Sequence, residues 1–218
     1  MSLRSVNFWL SVFLGAALAS AAVPNPVEVI RAKDVELQKL LREKGPPQKL
    51  DRIKTLINGI FDFEELGRRA LGATWGKMST TQQGRFAKAF KTWVENSSVK
   101  KLDAYVSDST RYDAPESKDD KATVTAHVYS KGTESVVVYK LTFNQGAWKA
   151  WDLVIDDLST AGNYGDQFRE ILKKNTMDAL IAKLEAKAKS GAPTKSADNV
   201  KSKSEKTSQA AAKKSPGT

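Results

Sequence analysis

The sequence contains no cysteine and only one histidine, which removes several classes of chemistry from consideration. Without thiols the chain can form neither a disulfide nor a cysteine-based metal or catalytic site. His127 alone cannot build a histidine-rich metal site. The motifs HExxH and GxSxG and a glycine-rich phosphate loop are also missing from the sequence. Carboxylates are therefore the main candidates for any acid-base chemistry.

Long hydrophobic runs are equally scarce, and the only one lies at the N-terminus. Arg4 precedes an apolar run from Phe8 to Leu18, and small residues such as Ala19 and Ala21 follow it. This layout predicts a secretory signal over residues 1–21, cleaved to leave a protein that is soluble outside the cytoplasm. The run is shorter than the roughly 20 residues that span a bilayer, although an uncleaved anchor remains the alternative.

Basic residues outnumber acidic ones, giving a formal charge of +10, but the excess is concentrated near the C-terminus. Residues 190–218 are rich in lysine and nearly devoid of large apolar side chains, so we expect a disordered tail. Such a tail could bind nucleic acid through its phosphates. Because the signal directs the chain away from nucleic acid, a solvated extension near anionic lipids or envelope polymers is the favoured interpretation.

The first half of the chain shows helical periodicity. We predict helices over 26–44 and about 48–60, and a short helix that Asp62 caps and Gly72 ends. Ser79 and Gln82 have the spacing of a second capping box, which begins a long helix. The aromatic residues that share one face of this helix are Phe86, Phe90 and Trp93.

The second half changes to the two-residue period of strands. Strands are predicted over 121–130, 135–143 and 147–156, joined by short turns at 131–133 and 144–146. An edge strand near 111–113 and two final helices, at about 163–174 and 176–189, complete the pattern. Helices, then antiparallel strands, then helices indicate an α+β domain over residues 22–189, with the helices packed on a sheet.

The strand over 147–156 is apolar on both faces. Alternation places Trp148 and Val154 on one side and Trp151, Leu153 and Ile155 on the other. One layer of helices does not obviously cover so much apolar surface, so part of it is expected to line a ligand cavity.

Asp152 supports a competing hypothesis, because parity places it beside Trp148 and Val154 as a partly buried acid. Small cone-shaped α+β folds include enzymes in which one buried carboxylate moves a proton. The chain could thus be such an enzyme with Asp152 as acid or base, and the plainer interpretation is a structural acid at the rim of a strand. A third hypothesis is a secreted adaptor that acts through its basic tail.

Three sequence blocks, between about Leu50 and Lys187, resemble the MlaC family of periplasmic phospholipid-binding proteins, which is also associated with toluene tolerance. They are FDFEELGRRALGATW with MSTTQQGRFAKAF, then VVYKL with GAWKAWDLVIDDLS, then NYGDQFREIL with LIAKLEAK. Ala73-Thr74 and Gly76 depart from the basic or aromatic residues usual in the family, and the lysine tail is not a family feature. These departures concern partner contacts more than the fold.

The resemblance implies a curved antiparallel sheet of the nuclear-transport-factor type, wrapped by several helices around an apolar cavity. It implies a monomeric, non-enzymatic carrier in the periplasm that shelters lipid acyl chains and helps to maintain outer-membrane asymmetry. Phospholipid would be its cargo, with no cofactor and no metal. Its partners would be an outer-membrane lipoprotein-porin complex and an inner-membrane ABC transporter with a lipid-binding ring domain, and nucleic acid would not be among them.

We place the expected cavity between the long helix and the inward face of the sheet. The residues predicted to contact lipid are the large apolar side chains of those two elements and of the short helix before them. They are Leu66, Leu71, Trp75, Phe90, Trp93, Val137, Tyr139, Leu141, Trp151 and Leu153.

Overall fold

The structure is a computed structural model that describes residues 23–43, 48–99 and 106–190. The signal predicted for residues 1–21 and the tail from residue 191 onward lie outside the described residues. The helices are α1 (Pro26–Arg42), α2 (Lys49–Ile60), α3 (Phe63–Leu71), α4 (Thr80–Val99), α5 (Thr160–Leu172) and α6 (Met177–Ser190). The strands are β1 (Ser109–Tyr112), β2 (Glu116–Lys118), β3 (Lys121–Ser130), β4 (Thr133–Asn144), β5 (Ala147–Ile155) and β6 (Leu158–Ser159). A 3₁₀ segment, Gly72–Lys77, links α3 to α4.

The two helix starts at which the sequence predicts a capping residue, before α3 and before α4, both use side-chain caps. Before α4, the Ser79 hydroxyl accepts from the Gln82 amide at 3.2 Å and the Gln82 side chain accepts from the Ser79 amide at 3.1 Å, a complete capping box. Before α3, Asp62 accepts from the Glu65 amide at 2.9 Å, but the reciprocal bond is replaced. The Asp62 amide instead donates to the carbonyl of Ala150 at 2.8 Å, which ties the start of α3 to strand β5.

The sheet is antiparallel, in the order β1-β3-β4-β5-β6, with β2 also paired to β3. The two long hairpins turn at Lys131-Gly132 and Gln145-Gly146, and all four of these residues have positive φ. Such backbone angles characterise the tight turns whose twist matches that of the strands they connect. The predicted α+β architecture, an antiparallel sheet with helices packed against it, is therefore confirmed.

A β-bulge in β5 reverses the predicted alternation of side chains. Lys140 of β4 pairs with Asp152, while the next residue, Leu141, pairs with Ala150, so Trp151 has no partner across the ladder. Phe143 pairs with Trp148 and Tyr139 pairs with Leu153 on the face that we call the inner face. The prediction that Trp151 shares a face with Leu153 was wrong, as was the pairing of Trp148 with Val154, because one extra residue changes the parity.

Two separate hydrophobic cores hold the described residues together. The helical core consists of residues from α3 to α6 and is rich in aromatic rings. The sheet core joins α1 and α2 to inner-face residues such as Leu141 and Trp148. Ile57 and Phe61 pack against both cores and thus mark the seam between them. None of the helices in the described ranges combines the length and the hydrophobicity that a membrane span requires.

Candidate functional site

The inner face of the sheet carries an apolar row that extends past the sheet core. Cross-strand pairing aligns Ala126 with Val137 and Val137 with Ile155, and the adjacent row aligns Tyr139 with Leu153. Val137 is 9% exposed and Ile155 and Leu153 are half-buried, yet none of these three residues belongs to either core. We call the three aligned residues, Ala126, Val137 and Ile155, together with the neighbouring Leu153, the apolar row.

Helices α1 and α2 pack on the other end of the same face. Their core partners are Ala122, Val124, Leu141, Trp148 and Ala150. Val137 lies four residues from Leu141 along β4, a distance of about 13 Å at the usual rise of a strand. The apolar face is therefore longer than the part that α1 and α2 fill.

Two tyrosines border the apolar row near α1. The Tyr112 hydroxyl donates to Asp34 Oδ2 at 3.0 Å, and the Arg31 guanidinium lies 5.3 Å from the centre of the Tyr112 ring. Burial raises the pKa of Tyr112 and of Tyr139, and the negative charge of Asp34 raises both further. Both hydroxyls therefore remain neutral at physiological pH, and this border of the row carries no tyrosinate charge.

The predicted helical lining residues lie in the helical core instead of facing the sheet. Leu66, Leu71, Phe90 and Trp93 are buried there, and the partly buried Trp75 packs against the same cluster. The Phe90 ring centre is 4.9 Å from that of Tyr164, 5.6 Å from Phe86 and 5.7 Å from Phe168.

The ten predicted residues thus fall into separate places. Val137, Tyr139, Leu141 and Leu153 share the inner face, although Leu141 is already covered by the sheet core. Trp151 lies at the bulge, beside a set of basic residues. The structure does not bring the helical five and the sheet residues together in one wall, because the rings of α4 and α5 pack against one another.

Trp151 contacts two cations that sequence analysis missed. The Arg69 guanidinium lies 3.8 Å from the centre of the indole ring and the Lys140 ammonium 5.5 Å from it. Arg68 and Arg169 line the same depression. The available signals were the Arg pair in α3 and a lysine inside an apolar strand, but only the bulge brings them to one tryptophan.

Asp152, the buried acid of the catalytic hypothesis, has hydrogen-bond partners that give it a structural role. Asp152 is 1% exposed, and its two oxygens accept from the Ser159 hydroxyl at 2.8 Å and from the Ala161 amide at 2.9 Å. Lys140 lies 3.4 Å away on the paired strand. The acid therefore fixes the start of α5, which begins at Thr160, three residues before the predicted position. No cluster of metal-ligating side chains was found among the described residues.

The family model described as MlaC protein matches residues 32–186. The chain belongs to the MlaC family. The match includes α2 to α5 and most of α1 and α6, so it contains the whole sheet and all buried residues of the two cores except Val27, Ile30 and Ala188.

A solved structure shares the MlaC fold seen here. It is a phospholipid-binding protein from Ralstonia solanacearum in complex with a phospholipid, similar at a TM-score of 0.65 and 19% sequence identity. The alignment covers 77% of this chain and 99% of that one. No curated protein sequence matches the chain.

Proposed function

We propose that this protein is a periplasmic phospholipid carrier that shelters acyl chains against the inner face of its sheet. Membership of the MlaC family supports this, together with the phospholipid bound to the Ralstonia protein of the same fold. The observation that carries the proposal is the apolar row, because its half-buried members, Leu153 and Ile155, lie beyond the sheet core and leave apolar surface for hydrocarbon.

The physical need for such a carrier is large. Two acyl chains contain about thirty methylenes, and shielding them from water is worth on the order of 20 kcal/mol. A lipid will not cross an aqueous compartment unsheltered against such a cost. The seam at Ile57 and Phe61 is the natural place for the interior to open, because only partly buried side chains join the two cores there.

The ten residues predicted to contact lipid would differ in how directly they do so. Val137, Tyr139 and Leu153 would contact acyl chains directly. Leu66, Leu71, Trp75, Phe90, Trp93 and Leu141 would contact them only if the seam opens, and Trp151 would not. Since the row offers hydrocarbon contacts and few polar ones, selectivity among phospholipid headgroups should be low.

The cellular setting is also part of the proposal. A cleaved signal at residues 1–21 would deliver the protein to the periplasm. There it would move lipid between an outer-membrane lipoprotein-porin complex and an inner-membrane ABC transporter with a lipid-binding ring domain. These partners follow from the family resemblance, as does a non-enzymatic role.

The deciding experiment is direct analysis of the purified mature protein. The protein is isolated without detergent, examined by native mass spectrometry, and extracted with organic solvent. We expect co-purifying phospholipid at a defined stoichiometry with mixed headgroups. Protein isolated in this way without lipid, and unable to take up phospholipid from vesicles, would refute the proposal.

A further inference from the structure

The outer face of the sheet forms the floor of a groove that continues onto α3 and α5. Cross-strand pairing aligns Thr123 with Lys140 and Lys140 with Asp152. Two open depressions, of about 370 and 500 Å³, share Arg69, Lys140 and Trp151 in their walls. They therefore make one continuous groove with Trp151 near its middle.

The groove has more basic than acidic side chains. Its walls contain two carboxylates, Glu116 and the buried Asp152, which lies 3.4 Å from Lys140. Glu65 and Asp166, at the rim, pair with the arginines and reduce the excess without cancelling it. The basic residues are Arg68, Arg69, Lys118, Lys121, Lys140 and Arg169.

The guanidinium groups keep donors for a ligand. Arg69 donates its Nε–H to Glu65. The N–H groups on its two terminal nitrogens remain as donors for a ligand. Arg68 uses Nε and Nη2 for the same carboxylate. Held by Glu65 and by the Trp151 ring, Arg69 is oriented before any ligand arrives, which lowers the entropy cost of binding.

The distribution of charge indicates the shape of the ligand. Lys118 and Lys121 lie at the sheet end, Arg68 and Arg169 at the helical end, and Lys140 between them. A single phosphate requires donors that converge on one point, whereas here they are spread along a channel with an aromatic side chain at its centre. We propose that this groove binds an extended acidic segment of a partner protein.

The charged side chain at the centre of this groove projects away from the cargo surface proposed above. Lys140 lies between Tyr139 and Leu141 in the strand, so its side chain projects from the opposite face to the apolar row. Failure of one proposal therefore leaves the other standing.

The test measures binding of a fluorescein-labelled oligoglutamate peptide to the full-length protein by anisotropy. The double variant Lys121→Gln/Arg169→Gln removes one charge from each end of the groove at exposed positions. The matched control is Lys88→Gln/Lys183→Gln, which loses the same charge from exposed helical lysines outside the groove. Both retain the basic tail, and circular dichroism checks their folding.

We expect the groove variant to bind the peptide about five- to tenfold more weakly than wild type, the control to bind nearly as well, and binding to weaken with salt. Each single substitution should give part of the loss. Equal loss in both double variants, or no loss in either, would overturn the proposal. So would full competition by inorganic phosphate, or groove-dependent binding to vesicles containing phosphatidylglycerol with none to the peptide.

Discussion

The Asp152 carboxylate accepts a hydrogen bond from the backbone amide of Ala161 at 2.9 Å, which joins strand β5 to the first turn of α5. Replacing Asp152 with alanine leaves that amide, the Ser159 hydroxyl and Lys140 without their acceptor. We expect a loss of about 2 to 3 kcal/mol in the free energy of unfolding, measured by urea denaturation.

Asp166→Ala is the matched control for this loss. Its carboxylate is 71% exposed and pairs only with Arg169 on the same helix, so we expect a change of less than about 1 kcal/mol. If Asp152→Ala proved as stable as the control, the capping role would be wrong. An Asp152→Asn variant that keeps every lipid-binding and physiological readout intact would end the case for an acid-base catalyst.

Replacing a helical glycine with alanine should have opposite effects on stability at two positions, Gly165 and Gly84. A Cβ at Gly165 would lie 2.8 Å from the Ala70 carbonyl oxygen, a backbone atom that cannot rotate away. Gly165→Ala should therefore separate α3 from α5 and cost about 1 to 3 kcal/mol. A Cβ at Gly84, within α4, would meet nothing within 4 Å. Gly84→Ala should instead stabilise by about 0.5 to 1 kcal/mol.

Thermal melts of both variants check this pair of predictions. Buried residues of α3 and α5 share one core, and a close-packed core does not tolerate a wider gap between two of its helices. A stabilised Gly165→Ala, or a destabilised Gly84→Ala, would contradict the packing described here.

His127, on strand β3, makes ionic hydrogen bonds to a residue of β4 and to a residue just after β1. Nδ1 lies 2.6 Å from Glu134 and Nε2 lies 2.9 Å from Asp113, just beyond β1. Hydrogen bonds to Asp113 and Glu134 raise the pKa of His127, although Arg111, bound to Asp113, opposes the effect. Only the protonated ring can donate to both carboxylates at once.

The sign of the pH dependence follows from that shift. A pKa raised on folding gives stability that is fully present below the unfolded value near 6.5 and is lost as pH rises through the folded value. Wild-type unfolding free energy should thus fall between about pH 6 and 8 relative to His127→Gln. Parallel pH profiles of the two proteins would show that the bridge contributes nothing.

The fold could be predicted from local signals, but the site could not. The hairpin turns, the capping box at Ser79 and the helical face of Phe86 and Phe90 each depend on residues close in sequence. The bulge at Trp151 depends on how β4 and β5 pair, and no composition signal accompanies it. One extra residue moved Trp151 to another face and turned Asp152 toward Lys140.

The five helical residues predicted to line the cavity lie in the helical core for a related reason. An amphipathic helix shows which face is buried but not what covers it. In α4 that face meets α3, α5 and α6, whose apolar side chains fill the space that a sheet was expected to occupy. The apolar periodicity of α4 would be the same whether that face packed against a sheet or against other helices.

Neighbouring valines on β4 offer the sharpest test of cargo binding. Val137 belongs to the apolar row and Val138 projects from the opposite face, where it pairs with Val154. Val137→Trp should reduce co-purifying phospholipid to a minor fraction of wild type, because the indole occupies the space proposed for an acyl chain. Val138→Trp should leave the lipid content unchanged. Extraction and mass spectrometry quantify both.

The enlarged side chain itself costs about 1 to 3 kcal/mol if it overpacks, so thermal melts must show that Val137→Trp remains folded. Ile155→Trp with Val154→Trp is a second pair, in which both positions are half-buried and have more room. Inner-face variants that lose lipid while outer-face variants keep it would locate the hydrocarbon on the apolar row. Equal lipid content in all four folded variants would place the cargo elsewhere, because no acyl chain can share the volume of an indole ring.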